Sequence, residues 1–199
     1  MTDRRNDTLP AFGRFIDELR AIWSRESDTQ KRMELGRDAL ERLVRDPELQ
    51  AHSRTWPSTE GLKNLLLHTD EEHGFIVNAV VREPGRTGSV HDHADAWTAY
   101  GVCDGQEYLE RYERLDDGAD PERAEIRRVS TTIGRAGVVD LVAPWAIHAE
   151  QGGGGRSAAV ILRSQRLVGR VLQHRYNEAE GTVKKGSGPT QIPYELRVG

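Results

Sequence analysis

The sequence predicts a mainly β protein, a small β-barrel that carries an N-terminal α-helical hairpin. Two observations predict it. The first stretch of the chain repeats its apolar residues at helical spacing, and from residue 60 onward the texture changes to short β-rich runs separated by Gly, Pro and Asp turns. No long helical pattern lies between those runs, which points to a sandwich or barrel rather than to alternating strands and helices.

In the first helix Phe12, Phe15, Ile16, Leu19, Ile22 and Trp23 form one apolar stripe. Asp7 and Thr8 precede Pro10, a residue tolerated in a first helical turn. A second helix is expected after Ser27 or Asp28, with the weaker stripe Met33, Leu40, Leu43 and Val44; Pro47 ends it or begins a short extra turn. The pair reads as a hairpin, residues 1–55, packed on a barrel and C-terminal arm, residues 56–199. The expected strands are 75–81, 98–103, 106–112, 125–133, 137–142, 158–162 and 170–176. DDGAD (116–120) and GGGG (152–155) read as loop and turn, and the tail after Asn177 as an extended arm or loop. The charged run YLERYERLDDG suits a solvated strand face, and no chemistry is assigned to it.

Composition narrows the function. The chain has 199 residues, 30% of them charged, with a net charge of −4 and both signs interspersed, so no basic nucleic-acid face is expected. The single cysteine, Cys103, excludes an intrachain disulfide and any zinc site built on cysteine pairs; it reads as a small core residue. The start has no apolar stretch behind its arginines, and no run approaches the roughly 20 apolar residues of a membrane span. The expectation is a cytoplasmic protein without membrane or nucleic-acid partners.

Two of the seven histidines form His91-Asp92-His93. In a strand, residues i and i+2 share a face, so an H-x-H pair aims two imidazoles at one point while Asp92 turns away. The segment runs Gly85, five residues, His91, one residue, His93, four residues, Thr98, six residues, Gly105. It resembles the first signature motif of the cupin superfamily at every spacing, with Thr98 in place of the motif glutamate. Gly137, Pro144 and His148 in GVVDLVAPWAIH resemble the second motif, with shifted spacing and without its terminal asparagine. The resemblance implies a double-stranded β-helix (jelly-roll) barrel and a metal held by His91, His93 and His148. Three neutral imidazoles leave the full charge of a divalent ion on the site, and open positions on an octahedral ion for substrate and for O2 or water. Imidazole suits zinc, nickel and copper as well as iron, so the ligands do not name the metal.

With its helical hairpin, S-V-H-D-H (89–93) and A-I-H (146–148), the chain further resembles the thiol dioxygenases, cysteine and 3-mercaptopropionate dioxygenase among them. Those are non-haem iron enzymes that add both atoms of O2 to a thiol sulfur. The resemblance implies Fe(II), O2 and a small polar substrate. It departs where the family's Ser–His–Tyr relay is replaced by Arg163 and Gln165; His174 and Tyr176 keep an H-x-Y spacing but lie on the next strand. No arginine precedes the strand at Phe75 to hold a substrate carboxylate, only Lys63, so cysteine is not implied as the substrate.

By strand parity Thr98, Tyr100 and Val102 face the cavity and Cys103 does not. Tyr100 is either a hydrogen-bond donor to a metal-bound ligand or a core aromatic. Trp97 and Trp145 are either pocket walls or packing. Arg163 either binds a substrate carboxylate or phosphate, pairs with an acid such as Glu150, or is simply exposed at the strand end, and with Gln165 it takes the place of the relay. Glu150 itself is placed at the surface, with orienting a ligand or acting as a base as its other readings. The expected function is a three-histidine Fe(II)-dependent dioxygenase of a small polar molecule, with a thiol as the leading type. A Lewis-acid isomerase, lyase or hydrolase and a non-catalytic ligand-binding cupin are its competitors. The helical stripe or the C-terminal arm offers a homodimer surface.

Overall fold

The computed structural model describes residues 8–166 and 173–198. Helices α1 (Pro10–Arg25), α2 (Thr29–Val44) and α3 (Pro47–Ser53) open the chain. Pro10 occupies the first turn of α1, preceded by Leu9 without a side-chain cap; Asp7 lies outside the described residues. Asp28 caps α2 by accepting from the Lys31 amide at 2.8 Å, and Asp46 caps α3 by accepting from the Glu48 and Leu49 amides. Pro47 therefore begins a separate short helix. No helix among the described residues is long and apolar enough to cross a membrane.

Twelve strands follow in the described residues: β1 (Lys63–Thr69), β2 (Ile76–Arg82), β3 (Val90–His91), β4 (Thr98–Asp104), β5 (Gln106–Arg114), β6 (Ile126–Arg135), β7 (Val139–Val142), β8 (Ile147–Gly152), β9 (Ser157–Arg163), β10 (Gln173–Asn177), β11 (Thr182–Gly186) and β12 (Thr190–Pro193). They form two six-stranded sheets, ordered β12-β1-β2-β9-β4-β7 and β11-β10-β3-β8-β5-β6. All pairings are antiparallel except β1 with β12. The eight consecutive strands β2 to β9 supply the four-strand cores β2-β9-β4-β7 and β3-β8-β5-β6. That order is the jelly roll, so the fold is a double-stranded β-helix with an N-terminal helical hairpin.

The expected strands are present, apart from residues 170–172, which lie outside the described residues. The tail corrects the sequence reading. It is not a plain arm, because β11 pairs with β10 and β12 extends the first sheet beside β1. Both strands are short and polar, so their pairing leaves no period in the sequence. β1 escaped for a similar reason: its burial pattern does not alternate cleanly.

The first sheet is buried on both faces. Val77, Ala79 and Val81 of β2, Ala99 and Cys103 of β4, and Ala158, Val160 and Leu162 of β9 join the cluster formed with Leu19, Trp23, Met33 and Leu40 of the helices. Their neighbours in sequence, Val80, Tyr100, Val102, Ala159 and Ile161, form a second cluster inside the barrel with Leu109 of β5. This is why these segments read as continuous apolar runs rather than alternating ones. Gly101 lets α2 approach β4, since a Cβ there would lie 2.9 Å from Val44 Cγ1 and 3.2 Å from Leu40 Cγ. Gly101→Val is expected to push α2 off the sheet and lower stability by about 1–3 kcal/mol. Thermal unfolding should show a Tm several degrees lower.

Candidate metal centre

The inward positions of the sheets carry the polar residues of the site. His91 on β3 and His148 on β8 are direct partners across the second sheet. His93 follows β3 in a turn closed by the Ala96 amide donating to its carbonyl at 3.1 Å. One ring nitrogen from each of the three histidines lies within 4.8 Å of those of the other two.

Local hydrogen bonds decide which nitrogens converge. His91 Nδ1 stands 2.9 Å from the Ser89 carbonyl, and His148 Nδ1 stands 3.0 Å from the Ala146 carbonyl. A carbonyl only accepts, so both Nδ1 atoms carry the proton and both Nε2 atoms present lone pairs. His91 Nε2 lies 3.1 Å from His93 Nε2, and the buried His148 Nε2 has no hydrogen-bond partner. Two nitrogens held about 2.1 Å from one ion at a near-right angle stand roughly 3 Å apart, so the set fits a bound metal. Burial, and after it the neighbouring His148, pushes His91 down to about 4 and His93 well below its ordinary value. Both rings are then neutral near pH 7, the state that ligates.

Asp92 points away from this cluster, as its parity requires. Its buried carboxylate accepts from the Ala94 amide at 3.0 Å, the His174 amide at 3.2 Å, His174 Nδ1 at 3.0 Å and the Tyr176 hydroxyl at 2.8 Å. His174 and Tyr176 thus tie the H-x-H strand to β10 from outside the barrel.

A cavity of about 320 Å³ opens beside the histidines, lined by His91, His93, Thr98, Tyr100, Glu150 and Arg163 among others. Its charged lining is cationic, with Lys63, Arg82, Arg86, Arg163 and Arg175 set against the one acid Glu150. Arg163 is 4% exposed; its Nη1 donates to Asn78 Oδ1 at 2.8 Å, while its Nε and the Oγ1 of Thr98 have no partner. Thr98 and Arg163 face each other across β4 and β9. Burial lowers Arg163 to about 10, opposed by the charge of Glu150, which leaves it a cation at neutral pH.

Tyr100 lines the cavity, but its hydroxyl is committed: it donates to Glu107 Oε2 at 2.7 Å and accepts from Arg82. That corrects the expectation of a donor free for a metal-bound ligand. Glu107 also accepts from Ser157 Oγ at 2.7 Å and pairs with Arg82 at 3.0 Å. Three other residues named from the sequence lie outside the cavity lining. Trp97 packs on the core between helices and sheet, its amide donating to Ser164 Oγ at 3.1 Å. Gln165 sits in the bend beyond the end of β9. Trp145 is 56% exposed; its backbone has φ +62°, and its ring lies 5.9 Å from that of His174. The left-handed backbone accompanies an indole turned out to solvent, so of the two sequence readings the pocket wall does not hold for Trp145.

The sequence reading missed Arg82 and Glu107, and it placed Glu150 at the surface. Glu150 is 7% exposed and reaches the cavity, its Oε1 3.3 Å from His148 Nε2 and its Oε2 3.5 Å from Arg82 Nη2. Burial alone would raise its carboxyl; its contacts with His148, His91 and the Arg82 guanidinium reverse that and hold it well below the usual range. The signal for Glu150 was its i+2 parity with His148. Gly88 seals this edge, since a Cβ there would fall 2.3 Å from the Glu150 carbonyl oxygen. For Glu107 there was no such signal, because β5 mixes charged and apolar residues on both faces.

No protein-family model matches the chain, and no curated protein matches it. Solved structures do. A recombinant oxalate oxidase in complex with glycolate shares 22% identity over 46% of this chain and 42% of its own, with a TM-score of 0.38. An uncharacterized conserved protein with a double-stranded beta-helix domain from Klebsiella pneumoniae shares 15% over 61% and 90%, TM-score 0.41. The DMSP lyase DddQ from Ruegeria pomeroyi shares 16% over 46% and 38%, TM-score 0.31. The likeness thus spans less than half of the oxalate oxidase and lyase chains. It is too distant to bear on activity; the fold rests on the strand order above.

The depressed histidines imply a pH dependence in the metal-free protein. The unfolded chain binds these protons near pH 6.5 and the folded chain only lower, at about 4 for His91. Their contribution to stability is complete above about pH 6.5 and is lost as pH falls toward 4. Thermal unfolding of metal-free protein should show Tm falling across that window, and His93→Gln should make the fall shallower.

Proposed function

We propose that this chain is a three-histidine non-haem Fe(II)-dependent dioxygenase acting on a small anionic molecule, with a thiol as the leading substrate type. The observation that carries the reading is the convergence of three imidazole nitrogens at the wall of a cation-lined cavity. An iron(II) ion bound there would supply the redox chemistry that makes the reaction of O2 accessible.

The chain's own residues supply positioning and charge. Arg163 offers an unpaired Nε to an anionic group, and Thr98 offers a hydroxyl from the facing strand. Asn78 fixes the guanidinium by accepting from Nη1. Val80 and Ile161 give the cavity apolar wall beside these donors, which excludes water and strengthens the charge contact. The more exposed Lys63, Arg86 and Arg175 draw anions toward the opening. The Tyr100–Glu107–Arg82 network is self-satisfied, so it shapes the wall rather than delivering a proton.

A second reading, an isomerase, lyase or hydrolase using the metal as a Lewis acid, is favoured by one observation. Glu150 is a buried, ionised carboxylate beside the histidines, placed where it would take a hydrogen bond from a metal-bound water, although its depressed carboxyl makes it a weak base. Tightly held zinc or nickel in purified protein, with no O2 uptake after iron loading, would select it.

Protein loaded anaerobically with iron(II) is expected to consume O2 with members of a thiol-carboxylate panel, followed with an oxygen electrode. His148→Ala should abolish metal retention and uptake together; if it abolishes neither, the proposal fails. Arg163→Met should raise KM for an anionic substrate by about 10- to 100-fold, with a smaller change in kcat. An equal loss on a neutral analogue would argue against anion binding by Arg163.

A further inference from the structure

Glu150 follows His148 by two residues on β8, so both side chains face the barrel interior. The proton of His148 sits on Nδ1, bound to the Ala146 carbonyl, and its Nε2 turns a lone pair toward Glu150 Oε1 at 3.3 Å. No hydrogen bond joins them, because Nε2 has no aligned partner. Two acceptors this close repel unless a cation or a shared proton lies between them. His91 Nε2 and His93 Nε2 lie 3.1 Å apart, and one nitrogen of each of the three histidines lies within 4.8 Å of the others. Glu150 borders that group through its contact with His148.

The cations of the cavity leave one Glu150 oxygen turned to the histidines. Arg82 approaches Oε2 at 3.5 Å while it also serves Glu107 at 3.0 Å and the Tyr100 hydroxyl, and the buried Arg163 acts on Glu150 through its charge. Oε1 is the oxygen that faces His148 Nε2.

We infer that Glu150 is a direct metal ligand, adding a carboxylate oxygen from β8 to the imidazoles of His91, His93 and His148. The inference rests on the reading that the histidines hold a divalent ion. A fourth, anionic donor halves the net charge of the centre and leaves one fewer open position for substrate. An oxygen donor also tilts the set toward iron(II), manganese(II) or zinc and away from softer ions. It removes Glu150 as a free base, the feature that favoured the Lewis-acid reading.

A crystal structure of the full chain loaded with cobalt(II), with the ion placed by its anomalous scattering, reads the ligand set directly. The expected result is a Glu150 oxygen at about 2.0–2.3 Å from the ion, alongside three histidine nitrogens. Glu150→Gln should weaken cobalt binding at least about tenfold in competition with a chromophoric chelator, and shift the visible bands of the bound ion. An ion on the three histidines with Glu150 beyond about 3 Å overturns the inference and leaves the metal site standing. Unchanged affinity and bands in Glu150→Gln overturn it as well. No ion at the histidines overturns the underlying reading together with the inference.

Discussion

The two-residue period of β2, β4 and β9 is the constraint from which the rest of the molecule follows. These strands are covered on both faces, so each residue has an assigned side. Ala99, Cys103, Val160 and Leu162 meet the helices, while Thr98, Tyr100, Ile161 and Arg163 meet the barrel interior. A one-residue slip would exchange the two sets. It would drive Arg163 into the apolar layer under α2 and remove it from the cavity. The helical hairpin is therefore part of what holds the site in register, although none of its residues lines the cavity.

Within that frame the site is a concentration of unshared electron pairs. Backbone carbonyls at Ser89 and Ala146 fix the protons of His91 and His148 on the far side of each ring. Burial keeps the imidazoles of His91 and His93 neutral. Where these groups meet, a metal ion would satisfy their lone pairs. The cations along the cavity wall play a separate part: they favour an anion next to the centre.

The support around the ligands lies on the outer face. Asp92 turns its carboxylate away from the histidines it separates and binds β10 through three donors, with the Ala94 amide as a fourth. β3 is only two residues long, so it has few ladder hydrogen bonds to fix it. Asp92 replaces them with side-chain bonds to His174 and Tyr176. Ala94, with φ +49°, accepts from the Trp145 amide at 2.7 Å, joining the loop that follows β3 to the loop that precedes β8. Two left-handed non-glycine residues at one junction mark a backbone held in place by its surroundings.

The sequence alone determined the helical hairpin, most of the jelly-roll strands, the three convergent histidines and the inward parity of Thr98 and Tyr100; that Arg163 also faces inward came from the structure. The features legible in the sequence are local: a helical period, a two-residue period and an H-x-H spacing each act over a few residues. Tertiary structure decided what depends on distant segments. Whether Tyr100 has a free proton turns on Glu107 and Arg82, which reach it from other strands. Whether Trp145 faces the pocket turns on a left-handed backbone that strand parity does not anticipate. Whether Glu150 is a surface acid or a neighbour of the histidines turns on how β8 is covered by Arg82 and by the loop at Gly88. Parity says which side of a sheet a residue takes; only the packing of the second sheet over the first makes that side an interior.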